Sequence, residues 1–134
     1  MQPTTVERNG RVISVHFHVP VPPLAWEDSF ELPHQASLTE WSAGRGFEVR
    51  DGENRVTISS VEIFGDSVQI TTASDLPAAG VTVAYAMTAD ATPMATPFAG
   101  VVRWGVLRDS DPFVGFTTQK AQPNFAVAFE LPVP

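Results

Sequence analysis

The stretch RVISVHFHV, Arg11–Val19, decides the fold class of this chain. Apolar side chains stand at every odd position from Ile13 to Val19, and the even positions include His16 and His18. Alternation with a period of two predicts a β-strand with one face in a core and the other toward solvent. Three prolines follow within four residues, and proline ends a strand because it cannot donate to the ladder.

This strand has an echo near the other end of the sequence. VHFHVPVP, Val15–Pro22, and VAFELPVP, Val127–Pro134, share the pattern V-x-F-x-[V/L]-P-V-P, with His16 and His18 replaced by Ala128 and Glu130. Because the termini of a domain often lie close together, we expect the two stretches to be neighbouring strands of one sheet.

The rest of the chain repeats the pattern of short strands and turns. Twelve prolines and nine glycines punctuate it, and no helix of ordinary length is indicated. A change of parity at Ser59/Ser60 predicts a β-bulge, and FGDS, Phe64–Ser67, predicts a hairpin turn. We expect an antiparallel β-sandwich of about eight strands, jelly-roll-like, with a small barrel as the rival. Further strands are predicted at Gly46–Arg50, Val56–Ile63, Val68–Thr71, Val81–Met87, Val101–Leu107 and Phe125–Leu131.

Length and charge limit the domain organisation and the partners. A chain of 134 residues predicts one domain, here 10–134, after a linker at 1–9. The chain has eight Lys and Arg residues and 15 Asp and Glu residues, and its formal net charge is −7. This negative charge disfavours nucleic acid and anionic membranes as partners. No apolar run approaches the ~18 residues of a membrane span. No cysteine is present, so disulfides and thiolate metal sites are excluded.

Two groups of residues are candidates for metal binding. His16 and His18 lie on one strand face about 7 Å apart and could share a transition metal if His34 or Glu130 converged on them. The outer polar face of a strand is the simpler explanation. Asp109 and Asp111 could contribute to a Ca²⁺ loop, although turn chemistry also explains them.

Aromatic and polar residues are the candidates for ligand binding. Three tryptophans are many for a small domain: Trp41, Trp104 and Trp26. The C–H faces of sugar rings pack on indole planes, so each is a candidate for sugar binding. Each could equally be a half-buried aromatic residue of the core. Arg103 stands beside Trp104 and offers a planar set of donors. Arg108 and Asp109 are interpreted instead as a structural pair. No nucleophile elbow G-x-S-x-G and no strand–turn–helix unit occur, so we expect a non-enzyme. A pair of carboxylates that hydrolyses glycosides stays open as an alternative, because the spacing of such a pair is spatial and not sequential.

Six segments in this order resemble an accessory module that follows the catalytic domain of SGNH/GDSL-type esterases in phage tail and related bacterial proteins. They are RVISVHFHVPVPPL, GFEV, VTISSVEIFGDSVQI, VAYAM, RWGVLRDSD and PNFAVAFELPV. The resemblance covers roughly Gly10 to Pro134, and LRDSD and PNFAVAF are its most specific pieces. The hydrolase's early G-D-S block and late D-x-x-H are missing, and the GDS of FGDS lies in a mid-chain turn.

This resemblance implies a β-sandwich that binds carbohydrate or helps a tail protein to assemble. We therefore expect a non-catalytic module for a polysaccharide or cell-surface glycan, with Trp41, Trp104, Arg103 and Trp26 as ligand-binding residues. It would be part of a longer extracellular or virion protein, with a catalytic domain possible on the parent chain. The alternative is a structural or oligomerisation domain of a phage tail fibre or tailspike. No cofactor is expected, apart from the Ca²⁺ considered above.

Overall fold

The computed structural model describes residues 1–29, 43–87, 89–90, 102–103 and 105–134. Apart from Ala43 and Gly44, which are helical, the regular elements of these residues are all strands. Their bounds are β1 Gln2–Asn9, β2 Val12–His18, β3 Ala25–Trp26, β4 Phe47–Asp51, β5 Asn54–Val56, β6 Ile58–Phe64, β7 Ser67–Thr72, β8 Val81–Tyr85, β9 Ala89–Asp90, β10 Val102–Arg103, β11 Leu107–Arg108 and β12 Phe129–Pro132. The predicted all-β class is confirmed.

Two four-stranded antiparallel sheets form the body of the domain. The first has the order β1-β2-β7-β6 and the second the order β12-β8-β4-β5. Buried side chains of both sheets belong to one core cluster, so the sheets pack face to face as a sandwich. The short strands β3 and β11 form a separate pair, as do β9 and β10.

Strand β2 follows the predicted alternation. Ile13, Val15 and Phe17 are 0–3% exposed, whereas His18 is exposed. On the partner strand β7, Val68 and Ile70 are fully buried, also as predicted. These residues form one wall of the core.

The structure contains the predicted hairpin turn at Phe64–Ser67 and the predicted β-bulge at Ser59/Ser60. The register between β6 and β7 shifts between Ile58 and Ser60, which confirms the β-bulge. Gly65, in the turn between these two strands, has a φ of +62°, a conformation that glycine adopts without a steric cost. The bulge moves the apolar positions of β6 to the opposite parity.

One predicted strand is divided between the two sheets. We expected a continuous strand through Val56 and Ile63, but β5 ends at Val56 in the second sheet and β6 begins at Ile58 in the first. The chain crosses at Thr57, whose carbonyl accepts a hydrogen bond from the Ala73 amide at 2.9 Å. An alternating pattern does not reveal such a crossing, because each half keeps its own inward face.

The two echoed stretches are not neighbours in one sheet, and that expectation is wrong. β2 lies in the first sheet and β12 in the second. Within the second stretch only Phe129–Pro132 is a strand, and Val127, at an apolar position of the shared pattern, is 51% exposed. Its amide donates to the Met1 carbonyl at 2.9 Å instead of to a sheet partner.

The first nine residues contain a strand where we expected a linker. Gln2–Asn9 forms β1, which pairs with β2 from Gln2↔His18 to Asn9↔Val12. All eight of its residues are exposed or partly exposed, and its sequence accordingly shows no apolar alternation. β1 is an edge strand whose pairing depends on the backbone.

Candidate functional site

Trp26 is the predicted ligand-binding residue whose side chain the structure describes. Its strand β3 pairs with β11 through Trp26↔Leu107. The indole is half-buried and meets the Phe47 ring edge-on, with centroids 6.5 Å apart. The Arg45 guanidinium lies over the indole, 5.0 Å from the centroid. Trp26 therefore combines a core contact with a cation–π contact at the surface.

The two charged residues that follow Trp26 in the chain are each paired with an arginine. Arg45 Nη1 donates to Asp28 Oδ1 at 2.9 Å, and Arg108 Nε donates to Glu27 Oε2 at 2.9 Å. Hydrogen bonds from Ser29 and the charge of Arg108 hold the pKa of Glu27 below its usual value. We call Trp26, Glu27, Asp28, Arg45 and Arg108 the Trp26 surface.

The other predicted binding residues fall at the margin of the described chain. Trp41 and Trp104 lie outside the described residues, as does His34. Arg103 lies in β10, opposite Ala89 of β9, and only its backbone is described. The grouping of Trp41, Trp104 and Arg103 with Trp26 stays a prediction.

Arg108 and Asp109 do not form the pair that we expected. The Arg108 side chain forms its ion pair with Glu27, and it reaches only the backbone carbonyl of Asp109, at 2.9 Å. Successive side chains near a strand point to opposite sides, which separates the two charged groups. The fully buried Asp109 is held by Asn124 instead, whose Nδ2 donates to Oδ2 at 2.8 Å.

The aspartates of the 108–113 segment act as turn residues, as that interpretation predicted. Asp109 Oδ1 accepts from the amides of Asn124 and Asp111 at 2.8 and 3.2 Å, and Asp111 Oδ1 accepts from the Phe113 amide at 2.9 Å. Burial alone raises the pKa of Asp109, but the hydrogen bonds from Asn124 and Asp111 outweigh it and hold the pKa below its usual value. The carboxylate thus links two distant parts of the chain.

His16 lies between two carboxylates on the outer face of the first sheet. Its Nε2 is 3.8 Å from Glu7 Oε2 on β1, and its Nδ1 is 3.6 Å from Asp66 Oδ1 in the β6–β7 turn. Both carboxylates are at least 70% exposed, so water screens their interaction with the imidazole. Glu130, one of the two candidates for a third metal ligand, belongs to the other sheet. Within the described ranges, no three His, Asp or Glu side chains converge to hold a metal ion.

A buried glutamate in a cavity is the feature that the sequence reasoning missed. Glu48 follows the inward-facing Phe47 on β4, yet its side chain is only 6% exposed. Its Oε2 accepts from Arg50 Nη2 at 3.0 Å and lies 3.2 Å from Arg55 Nε, on the paired strand β5. Its Oε1 is buried and has no hydrogen-bond partner within the described part of the chain.

The cavity beside this carboxylate has a volume of about 340 Å³. We call it the Glu48 cavity; it is lined by Ala43, Phe47, Glu48, Val49, Arg55, Val56, Thr57 and Ile58. Its size is at the lower end of the roughly 300–1,000 Å³ that small-molecule sites span. The sequence signal for this ion cluster was the E-x-R pattern at Glu48 and Arg50, followed by a second arginine, Arg55, directly after the turn DGEN at Asp51–Asn54.

No helix in the described residues combines the length and the apolarity that crossing a membrane requires. Comparison with protein-family models, with curated proteins and with solved structures finds no match to this chain.

Proposed function

We propose that this chain is a non-catalytic carbohydrate-binding module that recognises a polysaccharide or cell-surface glycan. The observation that carries the proposal is the Trp26 surface, where a guanidinium is stacked on the indole and bonded to the Asp28 carboxylate, and the residue after Trp26, Glu27, is paired with Arg108. Sugar recognition needs apolar surface for C–H groups beside polar groups for hydroxyls. The exposed part of the half-buried indole supplies the first, and Arg45 with Asp28 supplies the second.

Ordered charged groups favour binding over chemistry in this proposal. The Arg45–Asp28 and Glu27–Arg108 pairs are each closed at 2.9 Å, so these side chains lose little additional freedom when a ligand arrives. The module would be an accessory domain of a longer extracellular or virion protein. Trp41, Trp104 and Arg103 belong to the proposal as further contacts. Because the ligand is largely uncharged, affinity should depend little on salt.

The test is retention of the protein in native gels that contain plant, algal or bacterial polysaccharides. The proposal expects retardation by at least one polysaccharide, weakened by Arg45→Ala. Arg11→Ala is the matched control, because Arg11 is also paired with an aspartate, Asp75 at 3.6 Å, but lies away from the Trp26 surface. Unchanged mobility with every polysaccharide would overturn the proposal.

A second candidate, an oligomerisation domain of a tail fibre or tailspike, is favoured by one exposed apolar loop. Residues 113–122, the Phe116 loop, are closed by the Val114↔Ala121 bridge and by the Gly115 amide, which donates to the Lys120 carbonyl at 3.0 Å. Phe113 is 60% and Phe116 92% exposed. An ordered loop with exposed aromatic side chains suits contact with another protein surface.

Light scattering over a range of concentrations distinguishes this candidate. It expects a dimer or trimer that Phe116→Ser converts to a monomer. Phe64→Ser is the control, since Phe64 is 52% exposed but lies in the first sheet. A monomer at every concentration contradicts this second function.

A further inference from the structure

The Glu48 cavity is a concave site whose walls differ in chemistry. Val49, Val56 and Ile58 supply aliphatic surface, while Glu48 and Arg55 supply polar groups. β5 ends at Val56, opposite Val49, and the chain then leaves for the first sheet. The cavity therefore lies at the margin of the second sheet, where the chain passes from one sheet to the other.

The carboxylate in this cavity has one oxygen satisfied and one not. Oε2 is shared by Arg50 and Arg55, while the buried Oε1 has no hydrogen-bond partner among the described residues. Buried polar atoms in folded proteins are nearly always hydrogen-bonded to protein, water or ligand. The free oxygen can only accept, so its partner must present an O–H or N–H group.

Charge restricts that partner further. Two guanidinium groups already lie within 3.2 Å of the carboxylate, so a metal ion or an ammonium group would meet two positive charges. A neutral hydroxyl does not meet this repulsion. A neighbouring hydroxyl oxygen could at the same time accept from a guanidinium N–H, since a guanidinium carries five donors.

From these observations we infer that the Glu48 cavity binds one terminal sugar unit through a vicinal pair of hydroxyls. One hydroxyl donates to Glu48 Oε1, the next accepts from the Arg50 or Arg55 guanidinium, and the C–H face of the ring packs on Val56 and Ile58. This inference rests on the proposed glycan function and adds the recognition of a chain end. About 340 Å³ accommodates one ring, not a stretch of chain.

The cavity lies next to the Trp26 surface. Phe47 contributes to the lining of the cavity, and its ring meets Trp26 with centroids 6.5 Å apart. Arg45, stacked on Trp26, comes two residues after Ala43, which also lines the cavity. A sugar unit in the cavity can thus belong to the glycan that the Trp26 surface contacts.

The test is a titration of the ¹⁵N-labelled chain with methyl glycosides of neutral hexoses and N-acetylhexosamines, followed by NMR. We expect saturable shifts of the Arg55 Nε–H signal and of the amides at 48 and 56–58. Glu48→Gln places a donor where an acceptor is required and should weaken binding about ten- to hundredfold. Glu130→Gln, an exposed glutamate of the same sheet, should leave it unchanged.

A second variant covers the case in which Glu48→Gln does not fold. Ala43 is exposed and lines the cavity, so Ala43→Trp should block its mouth without disturbing the ion cluster. Ala79→Trp, in the exposed loop before β8, is its control. We expect Ala43→Trp to abolish the glycoside-induced shifts and Ala79→Trp to leave them unchanged.

The outcomes separate this inference from the proposed function. If polysaccharides retard the protein but no glycoside moves the cavity signals, the inference fails and the function stands. If glycosides bind but polysaccharides do not, the cavity site stands and the polysaccharide function fails; if neither binds, both fail. Shifts produced by N-methylacetamide and not by glycosides would overturn the sugar assignment in favour of an amide ligand.

Discussion

Phe17 of β2 and Phe129 of β12 meet edge-on across the core, with ring centroids 6.0 Å apart. They occupy the same position in the two echoed stretches, one in each sheet. The repeated pattern thus supplies facing walls of the sandwich. Edge-to-face aromatic pairs contribute about 0.5–1.5 kcal/mol beyond their buried area.

We expect these two phenylalanines to be energetically coupled. Phe17→Leu and Phe129→Leu should each destabilise the protein by about 1–2 kcal/mol, and the double variant should lose about 0.5–1.5 kcal/mol less than their sum. Urea unfolding of the four proteins measures this cycle. Pairing Phe17→Leu with a substitution at the exposed Phe64 should be additive; additivity in the Phe17–Phe129 cycle as well would contradict the packing.

The sequence predicts well where one side of a strand is buried, and poorly elsewhere. β2 has a buried and an exposed face, so its alternation predicts its burial. β1 is exposed along most of its length and offers no such pattern. Residues 125–127 alternate, but their backbone bonds go to Met1 and Leu107, not to either four-stranded sheet. Local periodicity contains no information about those distant partners.

In the candidate sites, too, the sequence identifies residue types but not the contacts that depend on tertiary packing. Trp26 could be selected by residue type, but its contact with Arg45 and Phe47 depends on three separate elements. Glu48 alternates with Phe47 and Val49, a position that in a strand normally faces solvent. Its burial follows from the tertiary environment of β4, where its β8 partner Ala84 is also buried.

Asp109 should make stability depend on pH in the acidic range. Its pKa is lowered in the folded protein, so its contribution is complete above the unfolded value of about 3.9 and is lost as pH falls through the lower, folded value. Asp109→Asn turns an N–H group toward Asn124 and should cost about 2–3 kcal/mol at pH 7.

Denaturant unfolding at several pH values checks this assignment. The difference between wild type and Asp109→Asn should shrink as pH falls from 5 to below 3. Asp111→Asn, which affects one exposed turn bond, should cost less than 1 kcal/mol at any pH. A difference for Asp109→Asn that stays constant with pH would show that this carboxylate is not responsible.

Tyr85 and Gly105 form a close contact that should tolerate no added methyl group. The fully buried Tyr85 hydroxyl accepts from the Leu107 amide at 2.8 Å, and burial raises the pKa of this phenol. A Cβ at Gly105 would overlap the Tyr85 ring. Gly105→Ala should therefore cost about 3 kcal/mol, near the upper end for overpacking.

Gly44→Ala is the matched comparison for this prediction. Its Cβ would lie 3.2 Å from Ile58 Cδ1, the far end of a flexible side chain, so the loss should stay below about 1 kcal/mol. Thermal unfolding of both variants gives the comparison. Equal losses would argue against the tight contact at Gly105.

The central claim is that the Trp26 surface binds glycan, and calorimetric titration of the polysaccharide that most retards the protein tests it most directly. Arg45→Ala removes the stacked guanidinium with its donors and should weaken binding about tenfold, whereas Arg11→Ala should leave it within twofold. Equal affinities of wild type and both variants, or no heat of binding with any polysaccharide, would contradict the account.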